Sequence, residues 1–323
     1  VEHLLVSRVY VVVVNWNGWR DTVECLESLR ALNYSPLSVI VCDNGSTDDS
    51  LHRLRDWVDD HGVDCAEYSA AEAESGGIAG LDPWLVLVRN GGNLGFAGGN
   101  NVALRYTLSR DDFSYAWLLN NDTVVDRDAL SHLVRRMEEH PSIGMCGSTI
   151  RYYADRDKVQ ALGGGHYCRF VGLPWHYGRF LGGRTERSRA ERWMNYVEGA
   201  SLMVSSRFLR EVGLMSEDYF LYFEEADWAE RAKGRFELGY APQSLVYHKV
   251  GRSIGTSSNP RRKSYTCDFY NVRNRILFTR RYYPHALPTV YLVLLGGLLL
   301  RILLGRFDHA AMVLRLLLGR GKR

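Results

Sequence analysis

Asn120, Asn121 and Asp122 end the apolar run Ala116 to Leu119 in "AWLLNNDTVVD". An apolar strand gains nothing from two amides and a carboxylate at its tip, so these side chains are candidates for ligand contact. Asp122 could give one hard oxygen to Mg2+ or Mn2+, with phosphate oxygens and waters completing the shell, because such sites use only one or two protein carboxylates. His248, at the end of the strand expected in "YAPQSLVYHKVG", could add an imidazole, which suits Mn2+ slightly better; a histidine satisfied at a strand end is the alternative. Glu224, Glu225 and Asp227 form a second cluster beside Phe220, Tyr222, Phe223 and Trp228. Mutual repulsion and the adjoining rings should raise at least one of these carboxyl pKa values, as a general base for an alcohol requires. Solvated acids on a helix N-terminus are the alternative.

These residues need a scaffold. "RVYVVVVNWNG" contains a continuous β-branched run, Val9 to Val14, that predicts a strand buried on both faces and stopped by Asn15, Asn17 and Gly18. The helical spacing of Val23, Leu26, Leu29 and Leu32 follows, then the strand "LSVIVCD", the helix "LHRLRDWV", a third strand "WLVLVRN" and a fourth at Ala116 to Leu119. Alternating strands and helices predict an α/β fold with a mainly parallel sheet, whose ligands bind at the carboxyl ends of the strands.

The polar residues at those ends are Asn15 and Asn17, Asp43 and Asn44, the loop Asn93 with Gly98, Gly99 and Asn100, and Asn120 to Asp122. If the four strands are neighbours, these tips converge. Amides and a carboxylate there could bind a base and ribose, and glycines would let the backbone approach a bulky ligand, so a nucleotide diphosphate fits. Residues Glu72 to Asp82 look like a surface loop, and the glycine- and aromatic-rich segment Gly163 to Arg184 like an irregular excursion that could cover a substrate.

Charge is asymmetric. Of 40 Lys and Arg and 37 Asp and Glu, 15 and 2 lie from Lys249 onward, so the front is acidic by ten and the tail basic by thirteen. Ala286 to Leu300 carries no charge, about 22 Å as a helix and short of the roughly 30 Å hydrocarbon core. With the second short apolar helix in "HAAMVLRLLLGRGKR", it suggests helices lying in a membrane interface. The six scattered cysteines lack metal-ligand spacing and read as reduced thiols, and no leader pattern opens the chain, so a cytosolic compartment is expected. No G-x-G-x-x-G opens the first helix, which argues against a nicotinamide-dependent oxidoreductase.

In order, "VVVVNWNGWRDTVECLESL", "VIVCDNGSTDDS", "NGGNLGFAGGNN", "WLLNNDTVV", "VEGASLMVSSRFLREVGLMSEDYFLYFEEADWAERA" and "LVYHKVG" resemble family 2 glycosyltransferases, most closely the bacterial rhamnosyltransferase-like branch. The resemblance runs from about Val9 to Ile254 and into "YNVRNRILFTRRYYP". It implies a GT-A, Rossmann-like fold, a nucleotide-sugar donor, a divalent metal (Mg2+ or Mn2+) and inversion at the anomeric carbon. By the resemblance, Asp43 contacts the nucleoside, and Asn93, Gly98, Gly99 and Asn100 form the donor loop. Asn120 and Asp122 fall on the two acids of the Asp-x-Asp signature, and His248 completes the metal site. Glu225 falls on the family's base, with Glu224 as the alternative. The departure is Asn120, an amide where the family has an acid, so metal binding should rest on Asp122 and His248, with Asn121 orienting its neighbours.

The expected organisation is a catalytic domain over 1–255, with a donor-binding half to about 125 and an acceptor-side half over 126–255, then a basic, apolar helical extension over 256–323 that associates with membrane. The resemblance also implies a lipid-linked saccharide acceptor, with Arg273, Arg275, Arg280 and Arg281 meeting acceptor phosphate or anionic headgroups. The expected location is peripheral, on the cytoplasmic face of the cell membrane. No nucleic-acid partner is expected, and self-association is left open. A processive synthase should add several long spans and a Q-x-x-R-W motif, so transfer of a single sugar is the better reading. dTDP-rhamnose is the first donor to consider, ahead of a UDP-hexose, UDP-N-acetylhexosamine or UDP-galactofuranose. A non-catalytic scaffold with a decayed site is the remote alternative.

Overall fold

The computed structural model describes residues 7–176, 178, 186–250 and 263–320. The expected boundary at 255, the end of the family-like stretch at Ile254, and residues 177 and 179–184 of the glycine-rich segment lie outside them.

The first half alternates as its apolar pattern predicts: β1 (Val9–Asn15), α1 (Trp19–Arg30), β2 (Leu37–Asp43), α2 (Ser50–His61), β3 (Cys65–Ser69), α3 (Ala70–Glu74), β4 (Leu85–Arg89), α4 (Gly95–Arg110) and β5 (Tyr115–Asn120). Next come β6 (Thr123–Val125), α5 (Ala129–Glu139), β7 (Ile143–Tyr152), β8 (Asp155–Leu162), β9 (Gly164–Cys168) and β10 (Leu173–His176). They are followed by α6 (Arg187–Trp193), β11 (Tyr196–Val197), β12 (Ser201–Ser205), α7 (Ser206–Val212), α8 (Glu224–Ala232) and β13 (Glu237–His248). Three helices end the described chain, α9 (Tyr265–Tyr282), α10 (Leu287–Leu303) and α11 (Phe307–Leu317).

One sheet runs in the order β10-β9-β8-β7-β12-β5-β1-β2-β4-β3. Strands β5, β1, β2, β4 and β3 are parallel, and β12 joins β5 antiparallel. The four expected strands are therefore neighbours, and their polar tips share one edge. Strand β1 sits among them because its β-branched residues fill both faces. Tyr10 and Val12 pack with Phe208, Trp228 and Phe278 from α7, α8 and α9, whereas Val9, Val11 and Val13 pack with Leu26, Leu54 and Leu130 from α1, α2 and α5.

Two expectations change. Strand β3 went unforeseen because "CAEYS" is short and edge-placed, with little apolar signal. The segment from Gly163 is not irregular: β9 and β10 pair antiparallel, Leu173 opposite Cys168. Glycines that read as loop punctuation let strands approach closely, since a Cβ on Gly164 would meet the Tyr196 carbonyl oxygen at 1.9 Å.

The tail is joined to this core. Phe278 of α9 lies 4.8 Å from Tyr167, centroid to centroid, and α9 to α11 share a further core of Val272, Ile276, Val290, Leu294, Val313 and Leu316. Outward, Leu292, Leu299, Leu303 and Phe307 are all at least 60% exposed. Residues Pro284–Leu303 are long and apolar enough to cross a membrane, with mean hydropathy 2.0, by length and composition alone.

Candidate active site

The strand-end residues divide into a supporting layer and a facing pair. In the supporting layer, Asn15 Nδ2 donates to Asp43 Oδ1 at 2.8 Å, and Thr22 Oγ1 donates to Asn15 Oδ1 at 2.8 Å. Asp43 also accepts from Ser46, at 2.5 Å from the hydroxyl and 3.0 Å from the backbone N–H. Asn17, in the left-handed region at φ 51°, accepts the Thr47 N–H at 2.7 Å and so folds the loop after β2 over the end of β1. Asn44 donates to the Gly95 carbonyl at 2.8 Å and accepts from Asn90 at 2.9 Å, and Asn93 Oδ1 takes the Gly95 N–H at 2.9 Å. Asn100 donates back to the Phe96 carbonyl at 2.8 Å.

Protein neighbours fill the space that Gly98 and Gly99 leave. A Cβ on Gly99 would stand 3.0 Å from Asn44 Nδ2 and from Val14 Cγ1, and one on Gly98 would stand 2.7 Å from Leu94 Cβ. Gly99 thus seats α4 on the tips of β1 and β2, while Gly98 leaves room for Leu94 at the start of its own helix.

The facing pair is Asp122 and His248. Strand β13 runs antiparallel to β6 with His248 opposite Thr123, which brings Nε2 to 3.0 Å from Asp122 Oδ1. Both residues are buried, at 5% and 7% exposure. Gln160 Oε1 lies 3.0 Å from Nδ1 and accepts its proton, which turns the Nε2 lone pair toward Asp122. A cation placed between them could take a lone pair from each. Cis ligands about 2.1 Å from an octahedral ion stand roughly 3.0 Å apart, so the pair fits Mg2+ or Mn2+. Among the described residues no third His, Cys, Asp or Glu joins it. Asn120 Nδ2 lies 3.4 Å from His248 Nε2, and Asn121 Nδ2 donates to Thr22 Oγ1 at 3.0 Å, tying the turn to α1.

The acids lie across β12. Asn120 N–H donates to the Ala200 carbonyl at 3.1 Å, and a Cβ on the next residue back, Gly199, would lie 3.7 Å from Glu225 Oε1. Glu224 is 2% exposed, its Oε2 has no hydrogen-bond partner, and burial pushes it up to about 7. Glu225 is half-buried; burial first, then Glu224 and Glu198, hold it well above the usual carboxylate range. The third acid does not belong with them. Asp227 accepts from Arg231 at 2.8 Å, Arg281 at 3.0 Å and Tyr282 at 2.7 Å, and it ties α8 to α9.

Before α8 the chain is strained. Phe220, Tyr222 and Phe223 have φ of 55°, 70° and 78°, each a left-handed conformation costing about 1–2 kcal/mol. Asn274 Nδ2, from α9, contacts the carbonyls of Tyr219, Leu221 and Tyr222 at 2.7, 2.8 and 3.1 Å, and the Phe96 N–H donates to Phe220 at 2.7 Å. Sequence reasoning missed Asn274, Gln160 and Glu198. The first stood between the two arginines singled out, and the others became visible only through β8 and through the approach of Gly199 to α8.

Arg273 is committed to the Asp218 carbonyl at 2.8 Å, and Arg281 to Asp218 and Asp227, so Arg281 is unavailable to headgroups. Arg275 is buried beneath the β9–β10 turn, where a Cβ on Gly172 would stand 2.9 Å from its Cδ.

Residues 10–188 match the family model described as Glycosyl transferase family 2. The chain is 20% identical over 240 residues to the low-salt glycan biosynthesis hexosyltransferase Agl10 of Haloferax volcanii, covering 72% of this chain and 64% of that relative. It is 24% identical over 265 residues to the N-acetylglucosaminyl-diphospho-decaprenol L-rhamnosyltransferase of Mycobacterium tuberculosis, covering 76% and 77%. The mannosyltransferase PcManGT from Pyrobaculum calidifontis, solved with GDP-Man and Mn2+, superposes with a TM-score of 0.58 at 16% identity, covering 98% of this chain and 88% of that one. The architecture is the GT-A fold.

Proposed function

The chain belongs to glycosyltransferase family 2, and on that premise we propose that it transfers one sugar, with inversion, from a nucleotide-diphosphate donor to a hydroxyl of a lipid-linked saccharide. The observation that carries this reading is the buried Asp122–His248 pair, 3.0 Å apart and one turn from the tips of the parallel strands. Asp122 and His248 would hold Mg2+ or Mn2+; when bound, the ion neutralises charge on the departing diphosphate. Glu225 accepts the proton of the acceptor hydroxyl as that oxygen attacks the anomeric carbon from the face opposite the diphosphate. Glu224, pushed up to about 7 by burial, is part-charged near neutral pH, and its charge holds Glu225 higher. Asn15 and Ser46 orient Asp43 toward the nucleoside, and Asn120 offers an amide to ribose.

The rhamnosyltransferase relative supports dTDP-rhamnose as the first donor to test, with UDP-hexose, UDP-N-acetylhexosamine and UDP-galactofuranose following. Its decaprenol substrate supports a lipid-linked acceptor. The exposed leucines of α10 support contact with a membrane, and Arg301 near the end of that helix, held by Asp268 within the chain, supports a peripheral position, on the cytoplasmic face, over a span. Calorimetry with UDP, dTDP, GDP and CDP, each with Mn2+ and with EDTA, tests the reading. Metal-dependent binding of one nucleotide, abolished in Asp122→Ala, is expected; no binding by folded protein overturns it.

A further inference from the structure

The C-terminal helices bury more positive charge than their acids balance. Arg275 is 8% exposed, donates from Nη2 to the neutral Asn271 at 2.9 Å, and has a buried Nε without a hydrogen-bond partner. Arg301 is occupied by Asp268, with contacts of 2.8 and 2.6 Å, and His309 Nδ1 reaches the same carboxylate at 2.8 Å. Arg306 donates to the Lys263 carbonyl at 3.0 Å. Burial, with Arg301 adding to it, pushes Arg275 down to about 10; burial and then Arg275 and Arg301 outweigh Asp268 and lower Lys263. Asp268 thus bonds Arg301 and His309 directly and answers Lys263 and Arg275 at longer range. Asp308 reaches only the rim, 3.8 Å from His309 and 70% exposed.

A buried guanidinium without an anion is costly to keep. Its planar fork matches phosphate oxygens better than an ammonium does. The same helices present Leu299, Leu303 and Phe307 outward, at 60%, 84% and 67% exposure, so an anion attached to an apolar chain suits the surroundings. Arg275 also follows Asn274, which holds the turn leading to Glu225.

We propose that Arg275, with Lys263 and Arg301, binds the phosphate of the lipid that carries the acceptor sugar. This rests on the lipid-linked acceptor reading. A phosphate held here anchors the acceptor beside α9 while its sugar reaches the base. Among the described residues no carboxylate bonds the Arg275 guanidinium, because the substrate supplies its anion.

Farnesyl diphosphate, in EDTA, is the probe for calorimetry and thermal shift on the full chain. Wild type is expected to bind. Arg275→Met should weaken binding at least tenfold and melt no lower than wild type, since it removes an uncompensated buried charge, and Arg275→Lys should recover part of the affinity. Lys263→Met, at a half-buried site, should weaken binding with the fold intact. Asp122→Ala should bind the probe as wild type does, while losing nucleotide; loss of the probe there would place the diphosphate in the donor site and overturn the proposal. Inorganic pyrophosphate should bind more weakly than the prenyl ester. Equal loss of binding to phosphatidylglycerol vesicles in Arg275→Met would assign the site to bulk headgroups instead. Absence of probe binding to wild type, or full binding by both cation variants, refutes the site. Failure of nucleotide binding with the probe still bound would strike the transferase reading and leave the anion site standing.

Discussion

Asn274 donates its side-chain amide to the Tyr219 carbonyl at 2.7 Å, so a residue of α9 holds the turn that precedes Glu224 and Glu225. Asn274→Leu removes the donor and leaves buried carbonyls unpaired, a cost of about 1–3 kcal/mol. We expect a lower Tm and a fall in kcat that exceeds any change in donor KM, because the turn positions the base and not the nucleotide. Melting curves and steady-state kinetics on one preparation check this; an unchanged kcat would detach α9 from the site.

The acid limb of kcat/KM should lie above the ordinary Glu value of about 4.3, since burial and two carboxylates hold Glu225 up. Activity should rise with pH through that limb as the base loses its proton. Glu225→Gln should lower kcat by about 10²–10⁴-fold. Glu224→Gln should move the limb to lower pH by removing a neighbouring charge.

Stability should run the other way. Glu224 binds its proton more tightly in the folded chain than in the unfolded one, so its contribution is full below about pH 4 and is lost as the pH rises to about 7. Glu224→Gln should therefore melt near wild type at pH 5 and higher than wild type at pH 8. The difference has a ceiling of about 3 kcal/mol at 1.36 kcal/mol per pKa unit. Calorimetric melts at the two pH values decide.

Gln160 fixes the ring of His248 through a contact of 3.0 Å. Gln160→Leu should weaken Mn2+-dependent nucleotide binding about 10–100-fold, the usual effect of losing such a partner, with the nucleotide affinity in EDTA unchanged. Titration of Mn2+ against bound nucleotide measures it.

Leu299 and Leu303 stand outward from α10 at 60% and 84% exposure. The double variant Leu299→Glu, Leu303→Glu should lose flotation with anionic vesicles and gain solubility, and it should keep its Tm, because neither side chain is buried. Retained flotation would remove these helices from the membrane surface.

Much of this was legible in the sequence, for identifiable reasons. Strand β1 announced itself because a β-branched run with no polar break fits only a strand covered on both sides. Asp122 and His248 stood out as candidates because each closes an apolar strand pattern, but their meeting at 3.0 Å depends on the pairing of β13 with β6. What stayed hidden depended on approach between distant segments. Asp227 looked like a third member of the acidic cluster until Arg231, Arg281 and Tyr282 were seen to satisfy it. Gly98 and Gly99 suggested a cradle for ligand, whereas their neighbours are Leu94, Asn44 and Val14. Spacing along a chain shows which face a residue shares, not which partner meets it there.

The pairing of β13 with β6 sets His248 beside Asp122 although the two are far apart in sequence. A chain still being synthesised holds Asp122 and every nucleotide-side amide long before it holds the imidazole. Until Glu237–His248 has been made and has slid into register, the ribosome-bound protein lacks half of the Asp122–His248 pair. A truncated product ending before that strand would carry Asp122 without the imidazole that faces it. Because Asn274 of α9 comes later still, the turn before Glu225 is secured only after the imidazole is in place, so the two halves of the site are completed in succession as the chain lengthens.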